Sequence, residues 1–154
     1  MFTASLSSPI GPVILSGDAE RLSSVRLSGR AAAVPVDEGD TPLLREAVAQ
    51  LTAWFAGKLR SFDIPITAAN TPRGAELRAA IQAIGFGETV SYGEIARRTA
   101  SGPRAIGQAC RRNPFPIIIP CHRVIGAGQS IGYYSGADGV VTKRWLIDFE
   151  NNIL

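Results

Sequence analysis

The sequence predicts an α+β protein. A small N-terminal antiparallel sheet with one helix is followed by a helical C-terminal domain containing a helix-turn-helix of the winged-helix kind. Three observations carry this. The first sixty-odd residues hold short extended runs broken by Pro/Gly turns around one stretch of helical periodicity. From Thr71 the apolar spacing becomes helical. Within that second half, two short helical stretches are joined by the tight, Gly-bearing link Thr99-Ala100-Ser101-Gly102. The connection Ala68-Ala69-Asn70 separates a scaffold lobe, 1–68, from a C-terminal domain, 70–154.

In chain order, Phe2 to Ser16 reads as two extended segments around Pro9-Ile10-Gly11-Pro12, with Val13-Ile14-Leu15 the clearest strand. Gly17-Asp18 is a turn signal, and Leu22 to Leu27 is the next strand. Gly29 to Asp40 is small, polar and Pro/Gly-bearing, hence a loop. Thr41-Pro42 opens a helix, because Thr caps and Pro suits the first helical position. Leu44, Ala47, Val48, Leu51, Trp54 and Phe55 form its apolar face, and Gly57 ends it. Ser61 to Thr67 alternates Phe62, Ile64 and Ile66 as a further extended piece. Thr71-Pro72 starts a second helix with Leu77, Ala80, Ile81 and Ile84 on one face, broken at Gly85-Phe86-Gly87. Ser91 and Glu94 form a capping box for a short helix through Arg98. Pro103 starts the next, which would be the recognition helix, and Asn113-Pro114 ends it. Thr142 to Phe149 is a final amphipathic segment.

Composition narrows the class. The 45% hydrophobic and 19% charged content suits an ordinary globular chain. The net charge is only +3, but its distribution is uneven: no acid occurs from Ile95 to Ala137, where six arginines lie between Arg97 and Arg123. Such a stretch suits a polyanionic partner or, equally, a solvated face. Two cysteines and one histidine make neither a disulfide framework nor a zinc site. With no secretory signal and no apolar run of membrane-spanning length, a reducing, cytoplasmic setting is expected.

The chemistry concentrates at Ile117-Ile118-Ile119-Pro120-Cys121-His122-Arg123-Val124. A cysteine after an apolar run is commonly an inert packing residue. Here the thiol adjoins the only histidine and an arginine, the groups that activate thiolates. Neighbouring side chains in a non-helical segment can point apart, so a water bridge between Cys121 and His122 is expected. An acid should orient the imidazole, and Asp148 and Glu150 are the nearest downstream.

This stretch, with Asn113-Pro114-Phe115-Pro116 before it, resembles the active-site signature of the O6-alkylguanine-DNA alkyltransferases, also called methylated-DNA–protein-cysteine methyltransferases. The likeness extends through Gly87 to Ala96, Pro103-Arg104-Ala105-Ile106-Gly107, Gly132-Tyr133-Tyr134-Ser135-Gly136 and Lys143-Arg144-Trp145-Leu146-Ile147. The resemblance implies irreversible transfer of an alkyl group from O6 of guanine in double-stranded DNA to Cys121, with O4 of thymine a further target, and no cofactor, metal or membrane. The protein would act as a monomer and be consumed in one turnover. His122 would be the base acting through water, Glu150 its orienting acid, Tyr92 a hydrogen-bond donor to the departing guanine, and Asn113 a brace.

On the recognition helix Ala105 allows close approach to DNA, Arg104, Gln108, Arg111 and Arg112 supply the polar reach, and Arg123 of the basic stretch is a further DNA contact; the resemblance implies that Arg104 fills the stack after the nucleotide is flipped into the protein from the minor groove. Tyr92, Cys110, Val124, Tyr134, Ser135 and Gly136 would form the base pocket, the carbonyls of Cys121 and Val124 accepting from the guanine amino group. Cys110 reads as a packing residue. Arg73 and Arg78 stand where the family commonly has aromatics, Gly85 stands where proline is frequent, and 136–140 departs from its usual loop. A non-catalytic alkyltransferase-like binder of damaged DNA is the alternative, but such proteins lack the cysteine. A helix-turn-helix regulator would leave the Pro-Cys-His-Arg stretch unexplained, and a cysteine hydrolase would need an oxyanion-hole signature that is missing.

Overall fold

The computed structural model describes residues 1–153 and has the α+β architecture expected from the sequence. The chain divides into two compact units. One comprises Met1–Thr67 with Gly136–Asp138; the other runs from Ala68 to Ser135 and resumes at Gly139.

The first unit is a three-stranded antiparallel meander, β1 (Phe2–Leu6), β2 (Val13–Gly17) and β3 (Leu22–Leu27), covered by helix α1 (Pro42–Phe55). β1 pairs with β2 from Phe2↔Gly17 to Leu6↔Val13, and β2 pairs with β3 from Val13↔Leu27 to Gly17↔Leu22, with a bulge at Ser16/Gly17. Val13, Leu15, Leu22, Val25 and Leu27 bury one sheet face against Leu44, Ala47, Leu51 and Trp54 of α1. Thr41 caps α1 by accepting from the Leu44 amide at 3.1 Å. At its far end the chain reverses at Gly57, whose φ of 75° only glycine adopts without strain. The extended piece 61–67 forms no regular strand; it meets β3 at one bridge, Leu22↔Ile66.

The second unit begins with α2 (Pro72–Gln82), capped by Thr71. A two-residue strand, β4 (Val90–Ser91), leads into α3 (Tyr92–Arg98), and α4 (Pro103–Arg111) follows after a turn. Ser91 accepts from the Glu94 amide at 3.1 Å, the first half of the expected capping box. α3 and α4 pack on each other and on α2, forming the helix-turn-helix. A 3-10 turn, Cys121–Arg123, runs into β5 (Val124–Ile125), which pairs in parallel with β4 at Val90↔Val124 and Ser91↔Ile125. The last helix, α5 (Val140–Ile153), extends beyond the segment expected from its amphipathicity and packs on the 3-10 turn. Among the described residues no helix is long and apolar enough to cross a membrane.

The two arginines that replace aromatics have defined places. Arg73 pairs with Glu76 at 2.8 Å and donates to the Ala100 carbonyl at 3.1 Å, tying α2 to the helix-turn-helix link. The Arg78 guanidinium lies 5.5 Å from the centre of the Phe115 ring, so its stem and charge cover the surface an aromatic would.

Candidate active site

Cys121 sits where the chain can hold a side chain rigidly. The apolar run before it is not a strand. It is a tight loop in which Pro116 and Ile119 bridge and Ile117 takes φ 74°, a conformation a β-branched residue adopts only when its surroundings enforce it. Those surroundings are present: Phe115, Ile117 and Ile119 are buried, and the Ile119 amide donates to the Phe115 carbonyl at 2.8 Å. Asn113 braces the loop from the end of α4. Its side-chain nitrogen donates to the Ile119 carbonyl at 2.8 Å and to Cys121 Sγ at 3.2 Å, while its oxygen accepts from the Phe115 amide at 2.9 Å.

His122, the next residue, is fully buried. Its Nε2 lies 3.0 Å from Glu150 Oε2. Glu150 is the acid expected to orient the imidazole; Asp148 is exposed. A carboxylate partner at Nε2 favours the neutral tautomer with its proton there, leaving Nδ1 as the basic nitrogen. Burial holds His122 below its ordinary value, against the pull of Glu150. Burial would raise Glu150, but hydrogen bonds from His122 and Arg123 hold its carboxyl down at about 2.

Arg123 corrects an expectation. It was assigned to DNA, yet it is only 6% exposed. Its guanidinium donates to Glu150 at 2.6, 3.0 and 3.1 Å and to the Ile84 carbonyl at 2.7 Å. It is an internal strut joining the active-site turn and α5 to the segment just past α2, with its guanidinium committed to Glu150 and the Ile84 carbonyl.

The thiol opens onto a cavity of about 830 Å³. Tyr92, Cys110, Tyr134 and Ser135 line it, and so does α4 through Arg104, Gly107, Gln108 and Arg111, residues at helical spacing on one face. The parallel pairing of β4 with β5 explains why Tyr92 is here: the strand that leads into Tyr92 lies beside the strand that follows the Cys121 turn. Arg104, Gln108, Arg111 and Arg112 are exposed, and Ala105 is half-buried. Arg111 also lies over the Tyr133 ring at 4.8 Å. Val124 and Gly136 do not line the cavity. Val124 is buried with its carbonyl engaged by Lys143, and Gly136 groups with the first unit.

Lys143 was not singled out from the sequence. It is fully buried, and its ammonium donates to the carbonyls of Val124 at 2.6 Å and Tyr133 at 3.2 Å and, at a long 3.5 Å, to the Tyr92 hydroxyl. Among the described residues it has no carboxylate partner. Gly132, at φ 75°, leaves the room: a Cβ there would come 3.1 Å from the Tyr92 ring and 3.4 Å from Lys143 Nζ. Burial raises Cys121, which the Asn113 hydrogen bond and the Lys143 charge oppose. Burial also lowers Lys143, which the two thiols oppose, and pushes Tyr92 up to about 12. The signal for Lys143 was present: it shares a buried helix face with Leu146, Ile147 and Glu150, at spacings of three, four and seven.

Residues 74–152 match the model of the 6-O-methylguanine DNA methyltransferase DNA-binding domain, and residues 1–68 match that of the ribonuclease-like domain of the same enzymes. The chain is 40% identical over 158 residues to a methylated-DNA–protein-cysteine methyltransferase of Methanosarcina acetivorans, covering 99% of each. It is 42% identical over 154 residues to one from Mycobacterium leprae, covering 96% of this chain and 91% of that one. Its structure is similar to that of Mycobacterium tuberculosis OGT in complex with DNA, with a TM-score of 0.84 and 36% identity over 98% of this chain and 93% of the other.

Proposed function

The chain belongs to the 6-O-methylguanine DNA methyltransferase family, and from that premise we propose that it repairs DNA by moving the alkyl group of O6-alkylguanine irreversibly onto Cys121. The observation that carries this is the buried thiol, held by Asn113 at 3.2 Å and open to a cavity whose other wall is the exposed, arginine-bearing face of α4. The thiol itself argues against a binder that only marks damage.

The target atom lies inside the duplex, so the nucleotide must leave the stack. Arg104, at the exposed start of α4, fills the gap it leaves in the minor groove. Gln108, Arg111 and Arg112 hold the backbone, and Ala105 lets the helix approach. Contacts of this kind carry little sequence preference and depend on salt. In the cavity the base lies between Tyr92, Tyr134 and Ser135.

Cys121 gives its proton through a water to His122 Nδ1, and Glu150 stabilises the imidazolium that forms. The thiolate attacks the alkyl carbon. A sulfur–carbon bond forms, the carbon–O6 bond breaks, and the electron pair moves onto guanine, which takes a hydrogen bond or proton from Tyr92. Lys143 serves both ends: its charge favours the thiolate, and its hydrogen bond to the Tyr92 oxygen polarises the phenol toward the base. The thioether is stable, so each molecule acts once. No cofactor enters these steps. The protein works as a monomer in the cytoplasm.

The test is to incubate the protein with a duplex containing O6-methylguanine and weigh it. A gain of one methyl, absent in Cys121→Ser, is expected. Tight binding of the damaged duplex with no gain would move the assignment to the non-catalytic alternative.

A further inference from the structure

The transfer just described uses one of the two thiols that line the cavity. Cys110, on the last turn of α4, is the other. Asn113 ties them together: its amide donates to the Cys110 carbonyl at 3.3 Å, and its side chain donates to Cys121 Sγ at 3.2 Å. Both cysteines are free thiols. A group delivered to Cys121 enters through this cavity, and Cys110 stands on the same cavity's wall, near enough for the two sulfurs to act on each other electrostatically. Methyl has no far end that can react. A 2-haloethyl group does.

Resting on the proposed alkyl transfer, we infer that this protein accepts O6-(2-haloethyl)guanine as a bifunctional lesion and closes it internally, with Cys121 taking the first carbon and Cys110 the second. In the first step the Cys121 thiolate attacks the carbon on O6; the sulfur–carbon bond forms, the carbon–oxygen bond breaks, and guanine keeps the electron pair. The product is a β-halo thioether. Its sulfur displaces the halide, which leaves with its bonding pair, and a three-membered episulfonium ring forms. Cys110 sulfur opens the ring: a new sulfur–carbon bond forms, the strained bond breaks, and its pair returns to Cys121. The Cys110 proton passes to water. The second stage loses only hydrogen halide, and the product is an ethylene bridge between two thioethers.

The cavity favours this outcome. Its oxygen nucleophiles are the hydroxyls of Ser135 and of Tyr92, Tyr133 and Tyr134, all hard, and burial keeps Tyr92 and Tyr134 protonated. The Lys143 ammonium is tied to two carbonyls. Cys110 is the one further soft nucleophile lining the cavity. Burial and the neighbouring Cys121 hold its thiol up at about 12, so it stays protonated in the resting protein. Alkylation removes the second of these causes, because a thioether cannot be anionic. The sulfonium then reverses its sign, placing a positive charge where a negative one would have been. Cys110 therefore gains nucleophilicity only after Cys121 has reacted.

The experiment uses the wild-type protein and two duplexes, one carrying O6-methylguanine and one carrying freshly prepared O6-(2-chloroethyl)guanine. Intact mass is followed by tryptic mapping. The methyl duplex reports on the transfer itself: with no gain of methyl, that reading fails and the internal closure fails with it. When methyl is gained, the chloroethyl duplex should add the mass of ethylene less two hydrogens. The peptides 105–111 and 113–123 should be joined, and the free Cys110 titre should fall in step with the alkylated fraction. Chloroethyl or hydroxyethyl on Cys121 beside a free Cys110 overturns the inference. So does a Cys121–DNA cross-link as the main product.

Discussion

Replacing Glu150 by Gln tests the internal wiring of the site most severely. The substitution keeps the shape but removes the charge that His122 and Arg123 share. Glu150 is 1% exposed and Arg123 6%, so the guanidinium loses its counter-charge with little water to replace it. Five hydrogen bonds to the carboxylate are at stake, three from Arg123, one shared with His122 and one from the Gly87 amide at 3.2 Å. Breaking a buried pair from one side costs about 3–5 kcal/mol. Part is retained, because a Gln carbonyl still accepts one bond and Arg123 keeps the Ile84 carbonyl. A loss of about 3 kcal/mol follows, lowering Tm by roughly 6–12 °C. Glu150→Gln with Arg123→Met should be less destabilised than the two single variants summed, by more than about 1 kcal/mol, because removing both partners leaves no stranded charge. Urea unfolding of the four proteins gives the cycle. Single-turnover transfer, measured below every Tm, should slow about 10²-fold in Glu150→Gln as His122 loses its partner. A stability loss under about 1 kcal/mol, or strict additivity, would refute this account of the Arg123–Glu150–His122 cluster.

Three further expectations follow from the same geometry. Lys143→Met should move the alkaline-side midpoint of the transfer rate up by roughly one pH unit, since the thiolate loses its neighbouring cation; a lower Tm with an unmoved midpoint would reduce Lys143 to a packing role. Acid should destabilise the fold below about pH 6.5. Both His122 and Glu150 have folded values below their ordinary ones, so the unfolded chain binds more protons and stability falls with pH, first as unfolded His122 charges and then between pH 4.5 and about 2 as Glu150 protonates. The Glu150 share is roughly 3 kcal/mol, and a flat stability profile from pH 7 to pH 3 would contradict it. Methylated protein should melt below free protein, because the methyl on sulfur weakens the bond that Asn113 donates to Cys121 Sγ at 3.2 Å, at a cost of about 1 kcal/mol; equal Tm values would contradict that.

The sequence reading succeeded where local chemistry decides the structure. Thr41, Thr71 and Ser91 each cap the helix they were expected to start, because a short side-chain oxygen before a helical run has little else to bond. His122 and Glu150 meet as expected across 28 positions because α5 presents Glu150 on its buried face. The reading failed where tertiary context overrides residue type. An arginine beside a nucleophile looks like a phosphate ligand; only the fold brings Glu150 and the Ile84 carbonyl to Arg123 and buries it. Lys143 looks like a surface charge until the helix wheel is drawn. The β4–β5 pair is two residues long on each side, too short for any periodicity, yet it places Tyr92 beside the thiol.

The central claim is that Cys121 is a single-use acceptor. It is tested most directly by titrating a fixed amount of protein with a growing excess of O6-methylguanine duplex, counting repaired guanines and mapping the methyl. Repair should stop at one guanine per protein, with all the methyl on the Cys121 sulfur within residues 113–123. Repair that continues past one per protein, or methyl that maps outside that peptide, would contradict it.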